Sequence, residues 1–503
     1  MQPTASRNAA IAGSVVSVIF VALVAATPGS PFLPKQPAGS HPSGPLRSLA
    51  GLVGLDSLHG SGLATAGVVA VVLAAIAFLF VLREAWRGTI SLRVVIVLAI
   101  ACHALLIALP LLFSRDVYSY AYYGRIAATY HANPYVVTPS DFPHDILAPY
   151  IGPRWVDTPA VYGPLFTLVS SLVVRVATSV SAMVVAFRLI AVTASLGTIA
   201  LVARLVRRVR PSREVFAVAI LGLNPVVLFQ SVGSGHNDLL VALSIAGAIT
   251  LLFARRELPA TAVLALGTLV KAAAAIPLLL LVVAVVARRE RGARGRTLLA
   301  HLAVAGGIGL AFSLPFLQTK DPSLGMIELA GHEGWLAPSR LFHRVLDAVS
   351  GDTLGVVARV AFPLALLVAV FLVVRWLAGR GREVTPQAQG AAWGWGLLFL
   401  MLLGPVLLPW YVTWTLPLVW LLPRVPRAVA IGTGTALTVS QWTAEPARFA
   451  QAYDANVLFG HYVLTPVVIT LLVWLCVDFL RRVRGGEPLH DEPGDIPARA
   501  GES

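Results

Sequence analysis

The chain has 503 residues, 57% of them hydrophobic and 12% charged, about half the charged share of an average soluble domain. With a mean hydropathy of +0.80, that balance excludes a soluble globular enzyme. It describes a polytopic membrane protein whose apolar runs each supply the roughly 20 residues that cross a bilayer. The net charge of +14 fits arginine clusters in cytoplasmic turns, so no nucleic-acid partner is expected.

In chain order, Ala9 to Ala26 follows Arg7 and reads as either a cleaved signal sequence or an uncleaved first helix. Thr27 to Ser61 is rich in Pro, Gly and Ser, as suits an outer spacer. Spans near Gly62 to Leu82 and Val94 to Phe113 are joined by a turn with Arg83, Arg87 and Arg93, which sets that turn in the cytoplasm. The polar stretch 114–162 is then the first large outer loop. Gly163 to Ala203 has room for two spans, yet an outer start and the basic cluster from Arg204 require an odd number of crossings. Either its first part is re-entrant or the inside assignment fails there.

Between Leu258 and Ala287 roughly 30 residues must go out and return, where two full crossings need about 40. Half-length helices meeting near Lys271 resolve the shortage. Trp393 to Pro423, punctuated by Pro405, Pro409 and Pro417, repeats it, and broken helices persist in a membrane only where protein or a watery cavity satisfies their backbone. The expected fold is all-α: a single polytopic helical domain over 1–484 with about 13 to 15 membrane segments. A second outer loop is expected at 318–353, and a disordered cytoplasmic tail at 485–503.

Chemistry concentrates in a few polar places. Asp116, in SRDVYSYAYYGRI, stands just past a span, either capping the next helix or acting as a general base beside a lipid-embedded reactant. Tyr118, and Tyr162 in VYGPLF, are candidates for sugar contact, with an interfacial aromatic belt as the plainer reading. Arg125 either holds a phosphate or reaches for lipid headgroups. His236, Asn237 and Asp238, in SVGSGHNDLL, lie between apolar runs and suit sugar hydroxyls, although Asn237 or Asp238 also suits a helix cap. Lys271, in TLVKAAAAIP, needs a cavity or partner, and a phosphate would serve as one, unless it reaches to water from the hinge of two short helices. Trp410, Tyr411 and Trp414, in LPWYVTWTLPL, offer stacking faces for sugar or prenyl chain, with an interfacial aromatic belt as the equal alternative. The two cysteines, Cys102 and Cys476, sit inside apolar runs, so neither a disulfide framework nor a CxxC metal site is available. No HExxH, P-loop or GxSxG elbow is found.

SRDVYSYAYYGRI, NPY at Asn133 to Tyr135, VYGPL, GHND at Gly235 to Asp238, VK at Val270 and Lys271, and PWYVTW together resemble the actinobacterial alpha-1,6-mannopyranosyltransferases of the MptA and MptB type, within the GT-C superfamily. The resemblance spans roughly residues 110 to 420. It implies a polyprenyl-phosphate mannose donor, a lipid-linked mannan acceptor, and an active site on the outer face of the plasma membrane. Asp116 would then be the base, Arg125 and Lys271 would bind the donor phosphate, and the His236–Asp238 turn would position sugar. Many GT-C enzymes carry paired acids here, whereas Arg115 precedes a single Asp116, so no metal or other cofactor is expected. Transfer of arabinofuranose or glucose remains an alternative, as do a lipid-sugar flippase and a scaffold that would tolerate loss of Asp116.

Overall fold

The computed structural model describes residues 3–37, 44–317, 336–350 and 352–491, which form helices and turns with no strand among them. Six helices are long and apolar enough to cross a membrane, or seven if the bent pair Pro211–Gly222 and Val226–Val232 counts as one span. Four shorter apolar helices of 10–17 residues stand beside them among the described residues, which gives fewer segments than the 13 to 15 expected.

Helix α1 (Pro3–Ala26) packs along α3 (Gly60–Trp86), with the short α2 (Pro45–Leu52) between them in the chain. Small side chains allow the approach, since a Cβ added at Gly13 would touch that of Ala77 at 3.7 Å. Helix α4 (Leu92–Ala108) leads into the polar loop and to α5 (Asp116–Ala128). Carbonyls freed at the end of α4 are held by the buried Arg188 guanidinium, which donates to Leu106, Ile107 and Leu109 and, at 3.1 Å, to Gly233. A cation at a helix C-terminus also complements its dipole.

The stretch 163–203 holds one short helix and one long one. Helix α6 (Pro164–Val176) has only 13 residues, whereas α7 (Val180–Val209) has 30. At the start of α6, Gly163 N–H donates to Val270 O and Leu165 N–H to Leu269 O, both at 3.1 Å. A Cβ at Gly163 would lie 2.1 Å from Leu269 O, so only glycine permits this approach. Helix α8 (Glu214–Gly222), the wide turn Val226–Val232 and α9 (Asp238–Phe253) form the next hairpin.

The half-length pair is present. Helices α10 (Glu257–Thr268) and α11 (Ala275–Ala287) are 12 and 13 residues long and meet at the turn holding Lys271. Helix α12 (Arg291–Ser313) follows, its apolar window only 6% buried, which leaves it to face lipid. The expected second outer loop, 318–353, falls largely outside the described residues; its described part is chiefly α13 (Pro338–Ser350). After α14 (Asp352–Arg380), the fully helical α15 (Pro386–Leu403) rises and the chain returns as tight turns of 3-10 helix, Pro409–Trp414 and Leu416–Leu421. This is the proline-broken hairpin expected at 393–423. Helices α16 (Arg424–Thr438), α17 (Ala450–Phe459) and α18 (Thr465–Gly485) complete the bundle.

The stretch 485–491 departs from the loose tail expected of it. Leu489 and Asp491 are buried, Trp395 Nε1 donates to Leu489 O at 3.0 Å, and Asp491 accepts from Arg210 at 2.9 Å and Arg427 at 3.0 Å. Two otherwise repelling guanidinium groups gain a shared carboxylate there. The remainder of that tail, 492–503, lies outside the described residues.

Candidate active site

Four segments distant in sequence meet at the face opposite the arginine clusters: the first turn of α5, the turn before α9, the α10–α11 turn and the 409–414 segment. Asp116 is the first residue of α5, and its backbone N–H donates to Ser114 Oγ at 3.1 Å. No side-chain cap bond is made at that terminus, nor at the start of α9, where Asn237 is the capping residue. Capping therefore does not account for these polar groups.

Asp116 Oδ2 lies 3.5 Å from His236 Nδ1. Tyr120, one helical turn after Asp116 and so on the same face of α5, places its hydroxyl 3.2 Å from His236 Nδ1 and donates to Asn237 Oδ1 at 3.5 Å. Tyr162 packs edge-on against Tyr120, with ring centroids 4.7 Å apart. The His236 ring stacks on Trp410 at 3.7 Å. Gly235, at φ +68°, supplies the left-handed turn that carries His236 inward.

Beyond the histidine, Lys271 Nζ donates to both oxygens of Asp238, at 2.8 and 2.9 Å, and Trp414 Nε1 donates to Oδ1 at 2.7 Å. The ammonium also lies 4.7 Å from the Tyr411 ring centroid and 5.6 Å from that of Trp414. It is thus held by a carboxylate and by aromatic faces that attract cations. His236 Nε2, Asn237 Nδ2 and Trp410 Nε1 are buried with no hydrogen-bond partner among the described residues.

Burial raises the Asp116 carboxyl to about 6, with the Lys271 charge opposing that rise and the Asp238 charge adding to it. At neutral pH the group is ionised but basic enough to take a proton. Burial also keeps the His236 ring neutral, well below the usual histidine range. Among the described residues no group of three or more His, Cys, Asp or Glu side chains is arranged to hold a metal, and both Asp238 oxygens are already engaged.

The structure thus brings together Asp116, Tyr162, His236, Asn237, Asp238, Lys271, Trp410 and Tyr411. It sets two other candidates elsewhere. Tyr118, two residues after Asp116 and so on the other side of α5, donates to Lys35 O at 2.8 Å. Arg125 sits roughly 13 Å farther along the helix and is committed to Asp145, its Nε 2.6 Å from Oδ2. Tyr130 shares that carboxylate at 2.8 Å. Lys271 is paired with Asp238, a partner the sequence did not indicate. Tyr120 was not among the sequence candidates, although spacing points to it, since it follows Asp116 by four on an α-helix; Trp414, read with Trp410 and Tyr411 as a stacking face, follows Tyr411 by three, which eclipses side chains in a 3-10 helix. Glu445 gives no such signal; from 330 residues away it accepts the Arg115 guanidinium beside Asp116.

A family model described as alpha-(1->6)-mannopyranosyltransferase, N-terminal domain, matches residues 9–288. The chain belongs to this family. It is 30% identical over 371 residues to alpha-(1->6)-mannopyranosyltransferase A of Mycobacterium tuberculosis (strain ATCC 25618 / H37Rv), covering 71% of this chain and 69% of that protein. No solved structure matches it. This alpha-1,6-mannosyltransferase therefore keeps Asp116, the His236–Asp238 turn and Lys271 inside the matched domain. Its aromatic wall, Trp410 to Trp414, comes from beyond that domain.

Proposed function

We propose that the chain transfers mannose from a polyprenyl-phosphate mannose to a lipid-linked alpha-1,6-mannan on the outer face of the plasma membrane, by a single inverting displacement. Support for the face comes from the arginine clusters, which gather on the side opposite Asp116 and so read as cytoplasmic. The observation that carries the mechanism is the pairing within one site of a raised carboxyl, Asp116, and an ammonium, Lys271, braced by Asp238.

In the proposed step Asp116 takes the proton from an acceptor hydroxyl as that oxygen bonds to the anomeric carbon. The bond from that carbon to the phosphate oxygen breaks on the opposite face, and the polyprenyl phosphate leaves with the electron pair. Lys271 meets the charge developing on the phosphate, sharing its donors between that group and Asp238. With Arg125 committed to Asp145 and Arg115 to Glu445, Lys271 is the cation whose field reaches Asp116. The unpaired donors and acceptors of His236, Asn237 and Trp410 are matched to sugar hydroxyls, and the stacked Tyr411–Trp414 pair, centroids 4.2 Å apart, offers an apolar face. The step as proposed draws on no metal.

The test is transfer by the purified chain in nanodiscs, offered polyprenyl-phosphate mannose, glucose or arabinofuranose and a short alpha-mannoside, with product linkage read by NMR. An alpha-1,6-linked mannoside from the first donor alone is expected. Transfer from a nucleotide sugar, or from none of the three donors, would contradict the proposal.

A further inference from the structure

A separate cavity lies at the far end of α9, roughly 24 Å along that helix from Asp238. Four helix ends converge there: the last turns of α9 and α11 and the first turns of α10 and α12. The cavity has a volume of about 560 Å³, and its wall includes Arg255, Arg256, Arg289, Arg296, Thr297 and His301.

Charge in this wall is unbalanced. Its carboxylate, Glu257, is already engaged by Arg288 at 3.0 Å and Arg289 at 2.6 Å. The side chains of Arg255, Arg256 and Arg296 make no hydrogen bond or ion pair to any of the described residues. Arg255 also adopts φ +62°, a left-handed backbone that glycine takes more readily. A bulky cation thus occupies a turn that glycine would fit with less strain. The floor is closed by the contact of Thr261 Oγ1 with His301 Nδ1 at 2.6 Å.

Part of the wall is apolar. Leu258, Pro259 and Ala300 line it, Leu258 is 41% exposed, and α12, which carries Ala300, has an apolar window almost wholly turned outward. Guanidinium forks match phosphate oxygens, and basic pockets between helix ends at a membrane boundary suit phosphate headgroups. A free phosphate would use the arginines alone; Leu258 and Pro259 beside them fit an alkyl chain.

We propose that this cavity holds the phosphate of an anionic phospholipid from the leaflet on the arginine-rich face, with its acyl chains passing Leu258 and Pro259 into the lipid beside α12. The bound lipid ties together the ends of α10 and α11 on the arginine-rich face, the two arms of the hairpin whose tip carries Lys271.

The test is native mass spectrometry of the full chain released from nanodiscs of equal parts phosphatidylglycerol and phosphatidylcholine. The intact chain is expected to retain phosphatidylglycerol in preference by about tenfold or more. The triple variant Arg255→Gln, Arg256→Gln, Arg296→Gln is expected to lose that preference. A control removing equal charge from the same face, Arg204→Gln, Arg207→Gln, Arg208→Gln, is expected to keep it. Equal loss in both variants would reduce the effect to general surface charge and overturn the proposal. So would displacement of the lipid by sn-glycerol 3-phosphate at equal concentration, which would make the ligand a soluble phosphate. Absence of any preference in the intact chain overturns it whether or not the variants fold. If the glutamine triple does not fold, the lysine triple at the same positions is expected to retain the preference for the anionic lipid, and its loss there counts against the site.

Discussion

At the scale of single residues the site is a set of polar groups drawn out of water and paired unequally. Asp238 is fully enclosed and satisfied by Lys271 and Trp414. Asp116 keeps 23% of its side chain exposed and has no comparable ion pair. Removing one member of a buried pair leaves an uncompensated charge, so Asp238→Ala is expected to destabilise the protein by about 3 kcal/mol, read by thermal unfolding in detergent. The acid on α5 behaves in the opposite sense. A carboxyl raised from 3.8 to about 6 binds protons more tightly folded than unfolded, so it costs stability as pH rises above its unfolded value. Asp116→Asn is therefore expected not to lower the melting temperature at pH 7. Transfer needs the ionised form, so kcat is expected to rise with pH through an inflection near 6 and to be several-fold lower at pH 5. A flat profile between pH 5 and 7.5 would remove Asp116 from the role of base.

At the scale of elements, close backbone contact holds the site together. The start of α6 rests on the Leu269–Val270 carbonyls, so the loop that ends in Tyr162 and the turn that carries Lys271 move as one piece. Gly163→Ala forces a Cβ into Leu269 O and is expected to destabilise by about 3 kcal/mol and to cut transfer, whereas alanine at the open Gly292 is expected to change neither. Parallel unfolding curves and assays of the two variants decide this. Much of the scaffold was legible beforehand because it follows from length: roughly 30 residues do not cross twice, so half-helices at Lys271 and a proline-broken return at 405–422 were readable from sequence. The pairing of Lys271 with Asp238 was not, since their 33-residue separation carries no periodic signal. Nor was the engagement of Arg125 by Asp145, where an arginine on a surface helix reads equally as a phosphate ligand. Tyr118 and Tyr120 show the remedy: from Asp116, two residues along a helix turns a side chain away and four brings it back.

At the scale of the whole molecule, ionic and backbone contacts between distant segments fasten both ends of the bundle. On the site face Glu445 joins Arg115 and accepts the Lys35 N–H at 2.6 Å, while Ala444 N–H donates to Pro31 O at 2.8 Å, so three segments distant in sequence are tied together next to Asp116. On the other face Trp86 lies under the guanidinium groups of Arg213 and Arg427, 3.2 and 4.2 Å from its centroid, and Asp491 fastens the chain beyond α18 to the same cluster. The proposed topology predicts that a cysteine at Asp157 is labelled by an impermeant maleimide in intact cells and one at Gly292 only after permeabilisation; the reverse pattern would put the site in the cytoplasm. Among measurements on the intact protein, the most direct compares mannosyl transfer from polyprenyl-phosphate mannose by the purified chain and by Asp116→Asn, each with its unfolding curve. A loss of about a thousandfold in kcat, with the fold and melting temperature retained, is the predicted result. Transfer by the variant within a few-fold of the intact chain would contradict the assignment of Asp116 as the catalytic base.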